Sequence, residues 1–360
     1  MSQINVVVVD DSAFMRKSLS LMLESDPGIK VVATARDGLD CIEKIKHFRP
    51  DIVTLDIEMP NMDGLGALEI IMKEIPVPVL MVSSLTTDGA EATLKALELG
   101  AVDFIPKALS FVSLDITKIK DELISKVKSI AKSKSLMYRL ARIRNAQISV
   151  SGTTGAQKKS PPVYIRSVRK DLKAIVVGVS TGGPNALMQI IPKLPADFPL
   201  GIAVVQHMPP KFTASLANRL NGVSNVRVKE AEDGDRVEPG RVLIAPGGYH
   251  MKFIRDNGHV VASISSEPAD TLYRPAADIM ISSAVEAYSA GLLGLILTGM
   301  GKDGLMGLQL VKQKGGYVIA QDEESCVVYG MPKAAVNAGI TDVILPLEKI
   351  ASSLIKLTMD

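Results

Sequence analysis

The chain has 360 residues, 47% of them hydrophobic, which is enough for two domains that each bury a core. No window of eighteen or more apolar residues occurs, so a membrane-spanning helix is excluded, and the N-terminus runs into a strand without the basic stretch and cleavage site of a secretory leader. The two cysteines, Cys41 and Cys326, match no metal or redox spacing; they are expected to be buried reduced thiols in a cytoplasmic protein.

In chain order, strand and helix signals alternate as in an open parallel sheet. The apolar run Ile4–Val9 reads as a strand, followed by a helix over Ala13–Glu24, a strand over Lys30–Ala33 and a helix over Leu39–His47. Ile52–Leu55 and Val79–Val82 read as further strands, then come a helix through Ala90–Leu99 and a fifth strand, Val102–Ile105. A doubly wound domain of this kind binds its ligand at the carboxyl ends of its strands. Polar residues fall at those ends: Asp10 and Asp11 after the first strand, Asp56 closing the third, Ser83 and Ser84 after the fourth, Lys107 after the fifth. Carboxylates held this close repel one another unless a hard cation sits among them, and a few oxygen ligands with open water positions suit Mg²⁺. The chemistry expected is phosphoryl transfer to Asp56, with an ammonium and a hydroxyl stabilising the charge. Helix capping would explain Asp10 or Asp11 but not the whole set.

These residues carry a resemblance. Val-Val-Asp10-Asp11-Ser-Ala-Phe-Met-Arg, Thr-Leu-Asp56-Ile-Glu-Met-Pro-Asn-Met-Asp-Gly, Met-Val-Ser83-Ser and Asp-Phe104-Ile-Pro-Lys107 resemble the receiver domain of two-component response regulators. The resemblance implies a flavodoxin-like domain with Asp56 as phospho-acceptor. It also implies a Mg²⁺ site made by Asp10, Asp11, Asp56 and the Glu58 backbone carbonyl, with Ser83 as switch hydroxyl and Phe104 as switch aromatic. Receivers usually end the fifth strand in Lys-Pro, whereas here Pro106 precedes Lys107, which leaves the position of the Lys107 ammonium to the structure.

Leu114–Ile130 carries apolar residues at helical spacing with lysines opposite and is expected to close the first domain as its last helix. The basic helical pattern continues through Met137, Leu140 and Ile143. From Lys118 to Lys173 fifteen Lys and Arg face three acids, so this segment carries +12 and the rest of the chain about −10. Such a segment can mark nucleic-acid or membrane contact. Its Ser, Gly, Thr and Pro content between Asn145 and Pro162 reads instead as a solvated connector.

The second domain opens with Ala174-Ile-Val-Val-Gly-Val-Ser180-Thr-Gly-Gly-Pro, which reads as strand, glycine turn and helix, with the helix over Ala186–Ile191. Gly178-Val-Ser180-Thr-Gly182 fits the G-x-S-x-G elbow that exposes a nucleophilic serine, and fits equally a turn whose N–H groups hold a phosphate. Two later apolar strands end the same way. Leu200–Val205 runs into Gln206-His207, and Leu292–Thr298 into Gly-Met300-Gly-Lys-Asp303. In a parallel sheet these ends converge, so a hydroxyl, an imidazole and a carboxylate are expected at one edge, the parts of an activated nucleophile. Taken singly, His207 reads also as a surface residue and Asp303 as a turn or cap residue. The order Ser, His, Asp differs from the Ser, Asp, His of α/β-hydrolases, so that fold is not supported.

Val-Ser180-Thr-Gly-Gly-Pro, Gln-His207-Met-Pro-Pro, Ile-Ala-Pro-Gly-Gly-Tyr-His250-Met, Tyr-Arg274-Pro-Ala-Ala-Asp278 and Leu-Thr-Gly-Met300-Gly-Lys-Asp303-Gly resemble the catalytic domain of the chemotaxis protein-glutamate methylesterases. The resemblance implies hydrolysis of glutamate methyl esters on chemoreceptors, with methanol released, and deamidation of receptor glutamines. It makes Ser180 the nucleophile, His207 the general base and acid, and Asp303 its orienter, with backbone donors near Thr181 and Met300 as an oxyanion hole. Arg274 either holds substrate or the site edge, or pairs with an acid such as Asp278. The whole reads as two doubly wound α/β domains: a receiver over 1–130, a basic linker over 131–172 and a Rossmann-like methylesterase domain over 173–360. The receiver is expected to inhibit the catalytic site until Asp56 is phosphorylated. A chemotaxis histidine kinase as phosphodonor, Mg²⁺ in the receiver, no cofactor for the esterase, no nucleic acid, no membrane insertion and a monomeric state complete the expectation. A DNA-binding output would need a basic recognition helix after the linker, which residues 173–360 do not show. A hydrolase of small esters would differ only in substrate size.

Overall fold

A computed structural model describes residues 3–107, 115–133 and 171–359. The chain divides into two compact units, Met1–Ser160 and Pro161–Asp360. The helical run expected through Met137, Leu140 and Ile143, and the connector between Asn145 and Pro162, lie outside the described residues.

The first unit alternates β1 (Ile4–Val9), α1 (Ala13–Glu24), β2 (Ile29–Ala35), α2 (Gly38–Phe48), β3 (Ile52–Asp56), α3 (Gly64–Glu74), β4 (Val79–Ser83), α4 (Thr87–Leu99), β5 (Asp103–Pro106) and α5 (Asp115–Ala131). The strands pair in parallel in the order β2-β1-β3-β4-β5. Val6 to Val9 are wholly buried, as a parallel sheet covered on both faces requires. In this order the chain reverses its direction of growth between β1 and β3, and ligands bind at such a switch point. Asp10 directly follows β1 and Asp56 ends β3. Helix α3 was not anticipated from sequence; its buried face, Ala67, Leu68 and Ile71, follows an Asp63 cap whose carboxylate accepts from Gly66 N.

The second unit contains β6 (Ala174–Val179), α6 (Gly183–Ile190), β7 (Gly201–Gln206), α7 (Phe212–Val223), β8 (Arg227–Glu230) and β9 (Arg241–Ile244). An antiparallel hairpin, β10 (His250–Asp256) and β11 (His259–Ser265), interrupts it, and α8 (Ala277–Tyr288) follows. Then come β12 (Leu292–Ile296), α9 (Leu305–Gln313), β13 (Tyr317–Gln321), α10 (Met331–Asn337), β14 (Val343–Leu345) and α11 (Leu347–Thr358). Seven strands pair in parallel in the order β14-β13-β12-β6-β7-β9-β8. The chain builds outward from β6 on one side, then returns to place β12 on the other. The switch point therefore lies between β6 and β12, and Ser180 stands at it. Both domains are of the expected parallel α/β class; the hairpin lies beyond that expectation. Neither Cys41 nor Cys326 forms a disulfide and both are buried; burial pushes the Cys41 thiol up to about 12.

Candidate functional sites

In the first unit the strand ends deliver their side chains to one place. Asp10 is fully buried, and one of its oxygens accepts from Ser12 N at 2.9 Å. Asp56 is 2% exposed and its Oδ1 accepts from Ile57 N at 2.7 Å. Lys107 Nζ lies 2.6 Å from Asp56 Oδ2 and 3.0 Å from Asp10 Oδ2, so the Pro106-Lys107 order does not keep the ammonium from the site. Burial raises the Asp56 carboxyl to about 6, and Asp10 adds to this, against the pull of Lys107 and the Ile57 N–H. Burial alone would lower the Lys107 ammonium, but Asp56 and Asp10 more than offset it and the group is raised. Oxygens of Asp10, Asp11 and Asp56 lie within 4.8 Å of one another, a hard-donor set that fits Mg²⁺.

Ser83, also buried, donates to Gly89 O at 3.1 Å and accepts from Thr93 Oγ1 at 2.7 Å, which ties the end of β4 to α4. Phe104 is 3% exposed. Lys126 of α5 donates to Phe104 O at 2.8 Å, sits 5.6 Å from the centre of its ring and pairs with Asp103 at 2.9 Å and Glu122 at 3.2 Å. Burial opposes the charge on Lys126, yet the two carboxylates hold its ammonium above the usual range.

The second site is built from three neighbouring strand ends. After β6 the chain turns at Gly182, whose φ of +77° suits glycine and whose missing Cβ would lie 2.5 Å from Val327. The turn starts α6 and leaves Ser180 partly exposed. Ser180 N donates to Thr298 O after β12 at 3.0 Å, and His207 N donates to Val179 O at 3.1 Å. The nucleophile candidate is thus stitched to both flanking strands. Gln206 adds a side-chain tie: its buried amide donates to Ser180 O at 3.0 Å and to His207 O at 3.2 Å. A Cβ on Gly183 would lie 1.9 Å from Gln206 Oε1, so glycine is needed for this close approach.

His207 Nε2 meets Asp303 Oδ2 at 2.7 Å. Asp303 also accepts from the N–H groups of Ala277 at 2.6 Å, Asp278 at 2.9 Å and Gly304 at 3.0 Å. Burial pushes its carboxyl up, but His207 and these donors outweigh burial and hold it below the ordinary carboxylate value. Asp303 is therefore both a cap for α8 and the partner of the imidazole. His207 Nδ1 is buried with no hydrogen-bond partner, as is Thr181 Oγ1 beside Ser180. With Nε2 occupied by the carboxylate, Nδ1 is the nitrogen left to take a proton.

Of the residues expected from sequence, Ser180, His207 and Asp303 come together through these ties. Met300 lies in the turn between β12 and α9 that also carries Asp303. Arg274 makes no ion pair with Asp278 among the described residues; its Nη2 donates to Ala269 O at 2.7 Å within its own loop. Asp278 instead accepts from Gly307 N at 2.8 Å, and burial raises its carboxyl to about 6. Sequence reasoning gave no role to Tyr273, whose ring stacks on His207 with centroids 4.1 Å apart and planes 13° apart. Nor did it assign the Gln206 amide, although a glutamine ending a wholly apolar strand was a visible signal.

The sequence matches the CheB methylesterase family over residues 175–354 and the response regulator receiver domain over residues 6–117. A protein-glutamate methylesterase/protein-glutamine glutaminase of Oleidesulfovibrio alaskensis is 50% identical, with 98% of both chains covered. One from Pyrococcus horikoshii is 48% identical over 98% of this chain and 93% of its own. Among solved structures, the Thermotoga maritima CheB methylesterase catalytic domain is similar at 50% identity and a TM-score of 0.51, covering 52% of this chain and 99% of that one.

Proposed function

The chain belongs to the CheB methylesterase family, with a receiver domain ahead of the catalytic one, and from that premise we propose that it hydrolyses glutamate methyl esters on chemoreceptors, releases methanol and deamidates receptor glutamines. The observation that carries this reading is the convergence of Ser180, His207 and Asp303 at the switch point of the second sheet, with His207 Nε2 held 2.7 Å from Asp303. Ser180 Oγ attacks the ester or amide carbonyl while His207 Nδ1 takes its proton. The same imidazole returns the proton to the leaving methanol or ammonia, and water then cleaves the acyl-enzyme by the reverse path. Asp303, held ionised, stabilises the imidazolium. Backbone N–H groups of Thr181 and Met300 face the developing oxyanion. Arg274 holds the loop edge through Ala269.

In the receiver, Asp56 accepts the phosphoryl group from a histidine kinase. Asp10, Asp11, Asp56 and the Glu58 carbonyl would hold Mg²⁺, which when bound neutralises phosphoryl charge. Lys107 supplies a second positive charge, and Ser83 and Phe104 carry the change to α4 and α5. We assign residues 1–130 to the receiver, 131–172 to the linker and 173–360 to the catalytic domain. No described helix is long and apolar enough to cross a membrane, and the enzyme acts in the cytoplasm as a monomer. One chain that holds a phosphorylation site and a hydrolase site allows each to bias the other, so the receiver restrains Ser180 until Asp56 is phosphorylated. Ser180→Ala is expected to abolish methanol release from methylated receptor with the fold retained; full activity in that variant would refute the assignment.

A further inference from the structure

One hydrogen bond fixes one atom of a ring and leaves its plane free to tilt. His207 is held by Asp303 at Nε2, and no other hydrogen bond from the described residues reaches its side chain. Against its face lies Tyr273, whose ring is nearly parallel to the imidazole, 13° off, at a centroid separation of 4.1 Å. The tyrosine has its own support. It belongs to the segment between β11 and α8, where Gly248 N donates to Arg274 O at 3.1 Å and buried His250 accepts from Ala276 N at 3.3 Å. At its far end a Cβ on Gly301 would lie 3.6 Å from Tyr273 Oη, so the ring spans from His207 to the turn that carries Met300.

A tyrosine that only filled a core would be buried. Tyr273 is half-buried and its neighbour Leu272 is 85% exposed, so little packing depends on this stretch. We propose that Tyr273 is a positioning residue for the hydrolytic reaction: its face sets the plane of His207 so that Nδ1 is presented to Ser180, and it covers that face of the imidazole while the ring carries a proton. Hydrogen bond and stack act on different degrees of freedom, and both are needed to define the ring. An aromatic face also favours a cationic partner above it, so the support strengthens as the proton arrives. The inference rests on the reading of His207 as the base.

The test uses the full chain, a fixed concentration of acetyl phosphate with Mg²⁺, and methylated receptor as substrate. Tyr273→Leu is expected to lower kcat by on the order of 10- to 100-fold, because misplacing a catalytic group by a fraction of an ångström has costs of that size. KM is expected to stay within about twofold, and Tyr273→Phe, which keeps the face, to stay within about twofold of the parent in both constants. A kcat unchanged in Tyr273→Leu, an equal fall in Tyr273→Phe, or a rise in KM alone would each overturn the proposal. If Tyr273→Leu does not fold, Tyr273→His and Tyr273→Met carry the same comparison of a planar face against none. His207→Gln separates the two levels of the argument. An active His207→Gln enzyme would remove the base assignment itself, whereas an inactive one beside a fully active Tyr273→Leu would remove only the role of the tyrosine.

Discussion

Asp303 does two jobs that replacement can separate. Asparagine keeps one oxygen, which serves the N–H groups of Asp278 and Gly304 that share Oδ1, but it gives up the acceptor for Ala277 N and His207 and loses the charge that stabilises an imidazolium. Asp303→Asn is therefore expected to fold and to lose about 10³- to 10⁴-fold in kcat, measured by methanol release. Gly183 tests the opposite arrangement, in which space matters and charge does not. A methyl group there meets Gln206 Oε1 and Val179 Cγ2, so Gly183→Ala is expected to lose about 1–3 kcal/mol in thermal unfolding and to displace the amide that ties Ser180 to His207. At this scale the sequence singled out Ser180, His207 and Asp303 as candidates, because each follows an apolar run. It did not show what steadies them. Tyr273 reaches His207 across 66 positions of sequence, and no local pattern marks a ring that stacks on a residue so distant.

Elements carry the electrostatics. Asp278, in the first turn of α8, has its carboxyl raised from 3.8 to about 6, chiefly by burial. A raised carboxyl favours the folded state while it is protonated, so this contribution is present at low pH and is lost as pH rises from about 4 to about 6. Asp278→Asn removes that loss. Its melting temperature relative to the parent chain is expected to rise through this window and to level off above it; a constant difference from pH 4 to 8 would contradict the assignment. On the receiver side, α5 is fastened to β5 by Lys126 and Asp103, both nearly buried. Lys126→Met strands the Asp103 charge and is expected to cost about 3–5 kcal/mol in the unfolding of the receiver. The central strands were legible because parallel strands covered on both faces must be largely apolar runs, as β1, β3 and β4 are; the edge strand β2 still showed through Val31, Val32 and Ala33 although Lys30 is exposed. The β10–β11 hairpin was not, since its alternation is broken by Arg255, Asp256 and Asn257 at an exposed turn. Helix α3 was missed because its small residues, Gly64, Gly66 and Ala67, dilute the helical period.

At the scale of the molecule, two parallel sheets each place a reactive group at their own switch point: Asp56 beside Lys107 in one, Ser180 beside His207 in the other. The connection between them is written in covalent continuity and in the chemistry of the two sites. Removing residues 1 to about 145 is expected to yield an esterase with a higher basal rate and no response to phosphodonor. An unchanged or lost basal rate would count against inhibition by the receiver. The most direct test of the account is methanol release from methylated receptor by the full chain, with and without acetyl phosphate and Mg²⁺, set beside Asp56→Asn and Ser180→Ala. The account predicts a rate that rises with phosphodonor in the parent, stays at the basal level in Asp56→Asn and vanishes in Ser180→Ala under both conditions. A phosphodonor response that survives in Asp56→Asn, or methanol release that survives in Ser180→Ala, would contradict it.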